Sequence, residues 1–243
     1  MAHGWEGAVL KLMRGKDFTF TVTQVERVSD RYHRLRLTDG GLLAEVPPHP
    51  TMWVRLWFER AGKPHQRAFT LVDPDPDPAS GTFTLEFALH QGTASDWARA
   101  AVPGDTVDAT LQGTGFPRPE PAPDRLLLVG DPASLPAINS LLDAYPDTPA
   151  TLWFETPHPA DGELPFRVDP ARHDLRRVPR ADGDAGLIAR VKAELPALLG
   201  DDPATAYAWI ACDTATTRTL AAFLKKESGL PKRRVHALGY WRA

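Results

Sequence analysis

The chain has 243 residues, 28 Lys and Arg against 31 Asp and Glu, a net charge of −3 and one cysteine, Cys212. That balance carries no electrostatic footprint for nucleic acid or an anionic membrane, and a lone cysteine excludes an internal disulfide or a cysteine-rich metal cluster. No apolar run approaches the roughly 18–20 residues that cross a bilayer, and residues 1–17 interrupt short apolar pieces with Glu6, Lys11, Arg14 and Lys16 rather than forming a signal core, so a soluble cytoplasmic protein is expected.

The first half reads as strands. Residues 18–28 alternate, with Phe18, Phe20 and Val22 set against Thr19, Thr21 and Thr23, and residues 32–38 do the same. Further strands are predicted at 52–58, 66–72, 82–90 and 105–111, the last announced by the turn Val102-Pro103-Gly104-Asp105. Prolines cluster at 47–50 and 74–78, where they mark surface connections, because proline cannot donate to a ladder. Six strands and one short helix predict a closed antiparallel six-stranded β-barrel over 1–116.

Within the fourth strand, Arg67-Ala68-Phe69-Thr70 is read as presenting a cation, an aromatic ring and a hydroxyl from one face, since strand side chains repeat every second residue. Such a trio can hold a phosphate, cover a flat conjugated ring and hydrogen-bond a ring nitrogen. About twenty residues on, His90-Gln91-Gly92-Thr93-Ala94-Ser95-Asp96-Trp97 forms a small-residue turn opening a helix. A helix N-terminus attracts phosphate through its free N–H groups and dipole. Each piece also has a plainer reading: an ordinary barrel strand, an N-cap at Thr93 or Ser95, a packed Trp97. Their order favours a flavin site.

The proline-rich segment 117–124 separates this half from one with a different pattern. Residues 125–129 are a continuous apolar run, as a buried parallel strand requires, ending at Gly130-Asp131. A helix over 133–145, a strand at 150–154, a helix near 187–199, a strand at 207–211, a helix over 214–227 and a strand at 234–238 follow. Strands alternating with helices predict a small parallel-sheet α/β nucleotide-binding domain over 125–243, with its crevice at the strand carboxyl ends, where Gly130 and Cys212 stand.

These motifs resemble those of the siderophore-interacting proteins, FAD-dependent ferric-siderophore reductases within the ferredoxin-reductase superfamily. The resemblance runs from about Phe18 to Arg242, through Arg67-Ala68-Phe69-Thr70, the His90 to Trp97 segment, Gly130-Asp131 with Leu135-Pro136-Ala137-Ile138, and Gly239-Tyr240-Trp241-Arg242. It implies that Arg67 meets the FAD phosphates, Phe69 covers the isoalloxazine or ribityl, and Thr70, the catalytic candidate, lies near flavin N5. Ala68, His90, Gly92, Thr93, Ala94 and Ser95 complete the implied cofactor set. Phe69 stands where the family usually has Tyr, Val72 where it often has Arg, and Thr93 where it has Pro. Asp131 implies a place at the nicotinamide, although Pro132 and Ala133 replace two polar residues. Cys212 and Asp213 stand where relatives carry Gly-Glu. The thiol reads equally as a small buried hydrophobe.

The implied reaction takes electrons from NADH or NADPH, or from a reduced ferredoxin, through FAD to Fe(III) in an anionic ferric siderophore. Arg55 and Arg242 are the implied substrate cations, each otherwise a solvated arginine. Glu155 is a candidate acceptor for a free ribose 2′-hydroxyl, and Arg218 and Lys225 for a 2′-phosphate. A flavin reductase with another acceptor and a non-catalytic binder are the alternatives. The eight histidines show no metal-ligand spacing, and no nucleophile elbow or phosphate loop occurs.

Overall fold

A computed structural model describes residues 16–75, 77, 79–180, 185–199 and 203–242. The reading of the N-terminal segment as lacking a signal core falls almost wholly outside these residues. The chain divides into two units, Met1–Phe116 and Pro117–Ala243.

In the first unit, β1 (Lys16–Ser29), β2 (Tyr32–Thr38), β3 (Trp53–Arg60), β4 (Lys63–Val72), β5 (Thr82–Ala88) and β6 (Thr106–Leu111) close a barrel in the order β1-β2-β5-β4-β3-β6. This is the architecture expected from the alternating runs. Inward positions such as Phe20, Val22, Leu35, Leu37, Val54, Leu56, Leu85 and Val107 form one core, with Phe20 edge-on to Phe83 at 4.9 Å between ring centres. A one-turn helix, α1 (Leu42–Glu45), buries Leu42 and Leu43 against this core. The sequence shows no helical period there, because four residues are too few to express one.

The hairpin of β3 and β4 pairs along its whole length, from Trp53↔Thr70 to Arg60↔Lys63. On its other edge β4 behaves differently. Among the described residues it pairs with β5 only at Leu71↔Leu85 and Val72↔Thr84. The barrel wall therefore parts beside residues 67–70. β5 continues through Leu89 and His90 to the Gly92 turn and α2 (Thr93–Ala100).

The second unit is a five-stranded parallel sheet in the order β11-β10-β7-β8-β9, made by β7 (Arg125–Gly130), β8 (Ala150–Thr156), β9 (His173–Pro179), β10 (Ala206–Ala211) and β11 (Val235–Ala237). The intervening helices are α3 (Leu135–Ala144), α4 (Ala185–Leu199) and α5 (Thr214–Glu227). The close fit of α3 on β7 depends on Gly130: a Cβ there would lie 2.3 Å from Ser134 Oγ and 2.5 Å from Ile138 Cδ1.

Strand β9 is the element that the sequence pattern conceals. In His173-Asp174-Leu175-Arg176-Arg177-Val178-Pro179 only His173 and Val178 are buried, as suits a charged edge strand. Glu194 on α4 fastens it, accepting hydrogen bonds from Arg176 Nη1 at 2.6 Å, Trp153 Nε1 at 2.7 Å and Arg190 Nε at 2.8 Å. Burial alone would raise the Glu194 carboxyl, but these three donors bring it down to about 2.

Candidate functional site

The parted wall between β4 and β5 gives the barrel unit its candidate site. Strand parity corrects one expectation: Arg67 and Phe69 share a face, and Ala68 and Thr70 occupy the other, because Thr70 is an odd number of residues from both. Phe69 lies opposite Val54 and turns toward the barrel core. Its ring centre is 4.4 Å from Phe87 and 6.5 Å from Phe58, and both of these pack on Trp97 at 5.9 and 5.7 Å. Trp97 is thus a packing residue, consistent with the plainer of its two readings. Arg67 is exposed, and its Nη1 donates to the Gln66 carbonyl at 2.8 Å.

The opposite face of the hairpin brings together residues that the sequence treats separately. Thr70, buried, pairs with Trp53, and Ala68 pairs with Arg55. The Arg55 guanidinium lies 4.7 Å over the Trp53 ring. Thr70, Trp53 and Arg55 therefore form one cross-strand patch. Trp53 is absent from the sequence-derived site because only the register reveals that it faces Thr70.

At the end of β5 the backbone is shaped to expose amides. Gly92 has φ 148°, a conformation favouring glycine, and no side chain caps α2. Ser95 is buried with its Oγ accepting from the His90 N–H at 3.1 Å, so its hydroxyl shapes the turn. Arg99 Nη2 donates to the His90 carbonyl at 3.0 Å while Nη1 pairs with Asp96 at 3.1 Å. His90 itself is exposed, with Nδ1 2.6 Å from the Gln91 carbonyl. Among the described residues the first-turn amides of Thr93, Ala94 and Ser95 have no side-chain cap, an arrangement that suits an anion.

These features fit a flavin dinucleotide. The aromatic cluster offers an apolar wall, the exposed guanidinium and uncapped helix suit a diphosphate, and the open edge of β4 offers backbone polar groups.

In the α/β unit the sheet order reverses between β7 and β10, the place where open α/β sheets bind ligands. The C-terminal segment crosses this point. Leu238 N–H donates to the Ile210 carbonyl, Tyr240 N–H to the Cys212 carbonyl, and Thr214 gives both its N–H and Oγ1 to the Trp241 carbonyl, all at 2.9–3.0 Å. Trp241 Nε1 then donates to Asp131 Oδ2 at 2.6 Å. Asp131 is 2% exposed, and its Oδ1 accepts from the amides of Ala133 at 2.9 Å and Ser134 at 3.2 Å. Burial pushes its carboxyl up to about 6, against these hydrogen bonds.

The remaining sequence candidates take structural positions. Cys212 is 1% exposed within the apolar core of this unit, and its N–H donates to Thr217 Oγ1 at 3.2 Å. Asp213 caps α5, with Oδ1 accepting from Ala215 at 2.7 Å and Thr216 at 3.0 Å. Glu155, a candidate for the ribose, is 3% exposed and bound by Arg180 through Nε at 2.8 Å and through Nη2. That same guanidinium lies 5.2 Å over the Trp241 ring. Arg180 and Trp241 sit 61 residues apart, which is why no local motif joins them. Arg242 is exposed and lines a cavity of about 440 Å³ with α5.

Comparison with known proteins places residues 13–112 in a siderophore-interacting FAD-binding domain model and residues 123–243 in a siderophore-interacting protein model. A mycobactin import ATP-binding/permease protein, IrtA, of Mycolicibacterium thermoresistibile is 34% identical over 99% of the chain, which spans only 26% of that relative. The siderophore-interacting protein SipS of Aeromonas hydrophila has the same fold, with a TM-score of 0.77, 23% identity and 94% and 92% of the two chains covered. So has a ferredoxin-NADP⁺ reductase of Plasmodium falciparum with 2′P-AMP, at 0.71, 13% identity and 93% and 97% coverage.

Proposed function

The chain belongs to the siderophore-interacting protein family, and on that premise we propose that it is a flavin oxidoreductase passing electrons from NADH or NADPH, through FAD, to Fe(III) in a ferric siderophore. The net reaction oxidises one NAD(P)H, reduces two Fe(III) to Fe(II) and releases one proton. Fe(II), with less charge, is held more weakly by hard oxygen donors, so reduction loosens the chelate.

The observation that carries this reading is the parted barrel wall, with an exposed cation on β4 and an uncapped helix after β5. FAD, when bound, supplies hydride acceptance and single-electron delivery, chemistry that side chains lack. The protein's part is placement. Arg67 and the amides of Thr93 and Ala94 hold the diphosphate, Phe69 walls the ring system, and Thr70 Oγ1 orients the hydride-accepting atom. On the same hairpin face as Thr70, Arg55 draws the anionic substrate in.

Steady-state assays with several ferric chelates, quinones and cytochrome c test the proposal. Chelate reduction is expected, and rapid quinone turnover with inert chelates would overturn it. Arg55→Ala is expected to raise the apparent KM for anionic chelates without changing flavin content. A ferredoxin as donor is the second reading, favoured by Pro132 and Ala133 at the turn after β7. Supplying reduced ferredoxin in place of NAD(P)H separates the two.

A further inference from the structure

Trp53, Arg55 and Trp57 alternate along β3 on the face opposite to Val54 and Leu56, which lie in the barrel core. Both tryptophans stand beside a threonine, and the two pairs end differently. Trp57 is 7% exposed, and its Nε1 donates to Thr110 Oγ1 at 2.9 Å. That hydroxyl donates in turn to Asp17 Oδ1 at 2.7 Å, so this pair is satisfied by the barrel itself. Trp53 is half-buried and pairs across the hairpin with Thr70. Among the described residues neither Trp53 Nε1 nor Thr70 Oγ1 has a hydrogen-bond partner. The ladder of β3 to β6 runs only from Arg55 to Trp57 among these residues, so Trp53 lies past it, its backbone N–H 3.4 Å from Thr114 Oγ1.

The Trp53 indole is nonetheless held in place. The Arg55 guanidinium lies 4.7 Å over its ring centre, a cation–π contact that restrains the plane of the ring. An indole has two side-chain torsions to fix, and with these already restrained little entropy is lost when a second ring docks against it. In the proposed flavin site Phe69 walls the coenzyme's rings from one face of β4, whereas Trp53 stands with Thr70 on the other. Thr70 is the residue placed at the hydride-accepting atom. A group that collects electrons from that side meets a pre-set aromatic surface and an indole N–H with no acceptor of its own.

We propose that Trp53 is a specificity-determining residue for the electron acceptor, stacking on an aryl group of the iron chelate, so that aryl chelates are favoured over alkyl chelates of equal charge. The inference rests on the ferric-chelate reading above. It adds a recognition element that is independent of charge.

The test uses two neutral, redox-inert probes that differ only in a ring, gallium(III) tris-benzohydroxamate and gallium(III) tris-acetohydroxamate, titrated calorimetrically into the flavin-loaded protein. The phenyl complex should bind roughly three- to tenfold more tightly than the methyl complex, the scale of an aromatic pair. Trp53→Leu, which keeps an apolar side chain, should bring the two within about twofold, and Trp53→Phe should retain most of the preference. With the corresponding ferric complexes, Trp53→Leu should raise KM for the phenyl chelate and leave kcat in place. Equal affinity of the two probes for the wild type overturns the inference, as does binding of neither, or an undiminished preference in Trp53→Leu. Loss of flavin from Trp53→Leu would set the indole against the coenzyme and also overturn it. If the wild type discriminates between the gallium probes but reduces no ferric chelate, the reductase reading fails while the role of Trp53 stands. If both ferric chelates are reduced with equal KM, the reductase reading stands and the role of Trp53 fails.

Discussion

Arg67 and Asp131 show how differently two charged residues can serve a site. Arg67 is exposed and, among the described residues, donates only to its neighbour's carbonyl, so little binds it before an anion arrives. Arg67→Ala is expected to weaken flavin binding by about 1.5–3 kcal/mol, the loss of a charge-assisted pair. A flavin titration that does not move would remove Arg67 from the site. Asp131 is instead enclosed, its pKa raised to about 6. The folded state holds this proton more tightly than the unfolded chain. Its contribution to stability is therefore full below about pH 4, the unfolded value, and is lost as pH rises through about 6. Asp131→Asn abolishes that titration. Urea unfolding at pH 4 and pH 7.5 should show the difference between wild type and variant moving by about 2–3 kcal/mol in the variant's favour at the higher pH. A pH-independent difference would mean that Asp131 keeps an ordinary pKa.

At the level of elements, fit and fastening decide. Gly130→Ala forces a methyl to within 2.3 Å of Ser134 Oγ and 2.5 Å of Ile138 Cδ1, so these side chains, or α3 with them, must shift. A loss of about 2 kcal/mol in unfolding free energy is expected, as for other overpacked contacts, and an unchanged urea midpoint would show that α3 yields freely. Strand β9 buries only His173 and Val178, and beside its ladder to β8 the Glu194 carboxylate ties its Arg176 to α4. With its carboxyl depressed to about 2, Glu194 contributes stability above its unfolded value and loses it as pH falls through about 2. Glu194→Gln should cost about 1 kcal/mol, reduced from the buried value by partial exposure. Amide exchange should accelerate in β9 but not in β7. Equal acceleration in both would mean that Glu194 acts on the whole sheet.

Over the whole chain, the barrel and the α/β unit divide the chemistry. The proposed cofactor residues from Arg67 to Ser95 belong to Met1–Phe116, and the cation-lined groove of Arg218, Lys225 and Arg242 to Pro117–Ala243. Saturating FAD should therefore slow amide exchange in residues 66–72 and 89–96 and leave β10 unprotected. Protection concentrated in β10 would relocate the flavin. Both folds were legible in the sequence because burial imposes a period on side chains: two in the barrel strands, none in the fully covered runs of β7, β8 and β10, and helical between them. The motifs of β4 and the Gly92 turn were legible for the same local reason. Register was not. It alone places Thr70 beside Trp53 and Arg55, whereas the parting of Thr70 from Arg67 and Phe69 follows from strand parity. Nor could local patterns disclose that Glu155 is spent on Arg180, that Trp241 returns to Asp131, or that Arg218, Lys225 and Arg242 share one groove. Periodicity is a property of neighbours along the chain, whereas these pairings are made by strand order and helix packing between residues far apart in it.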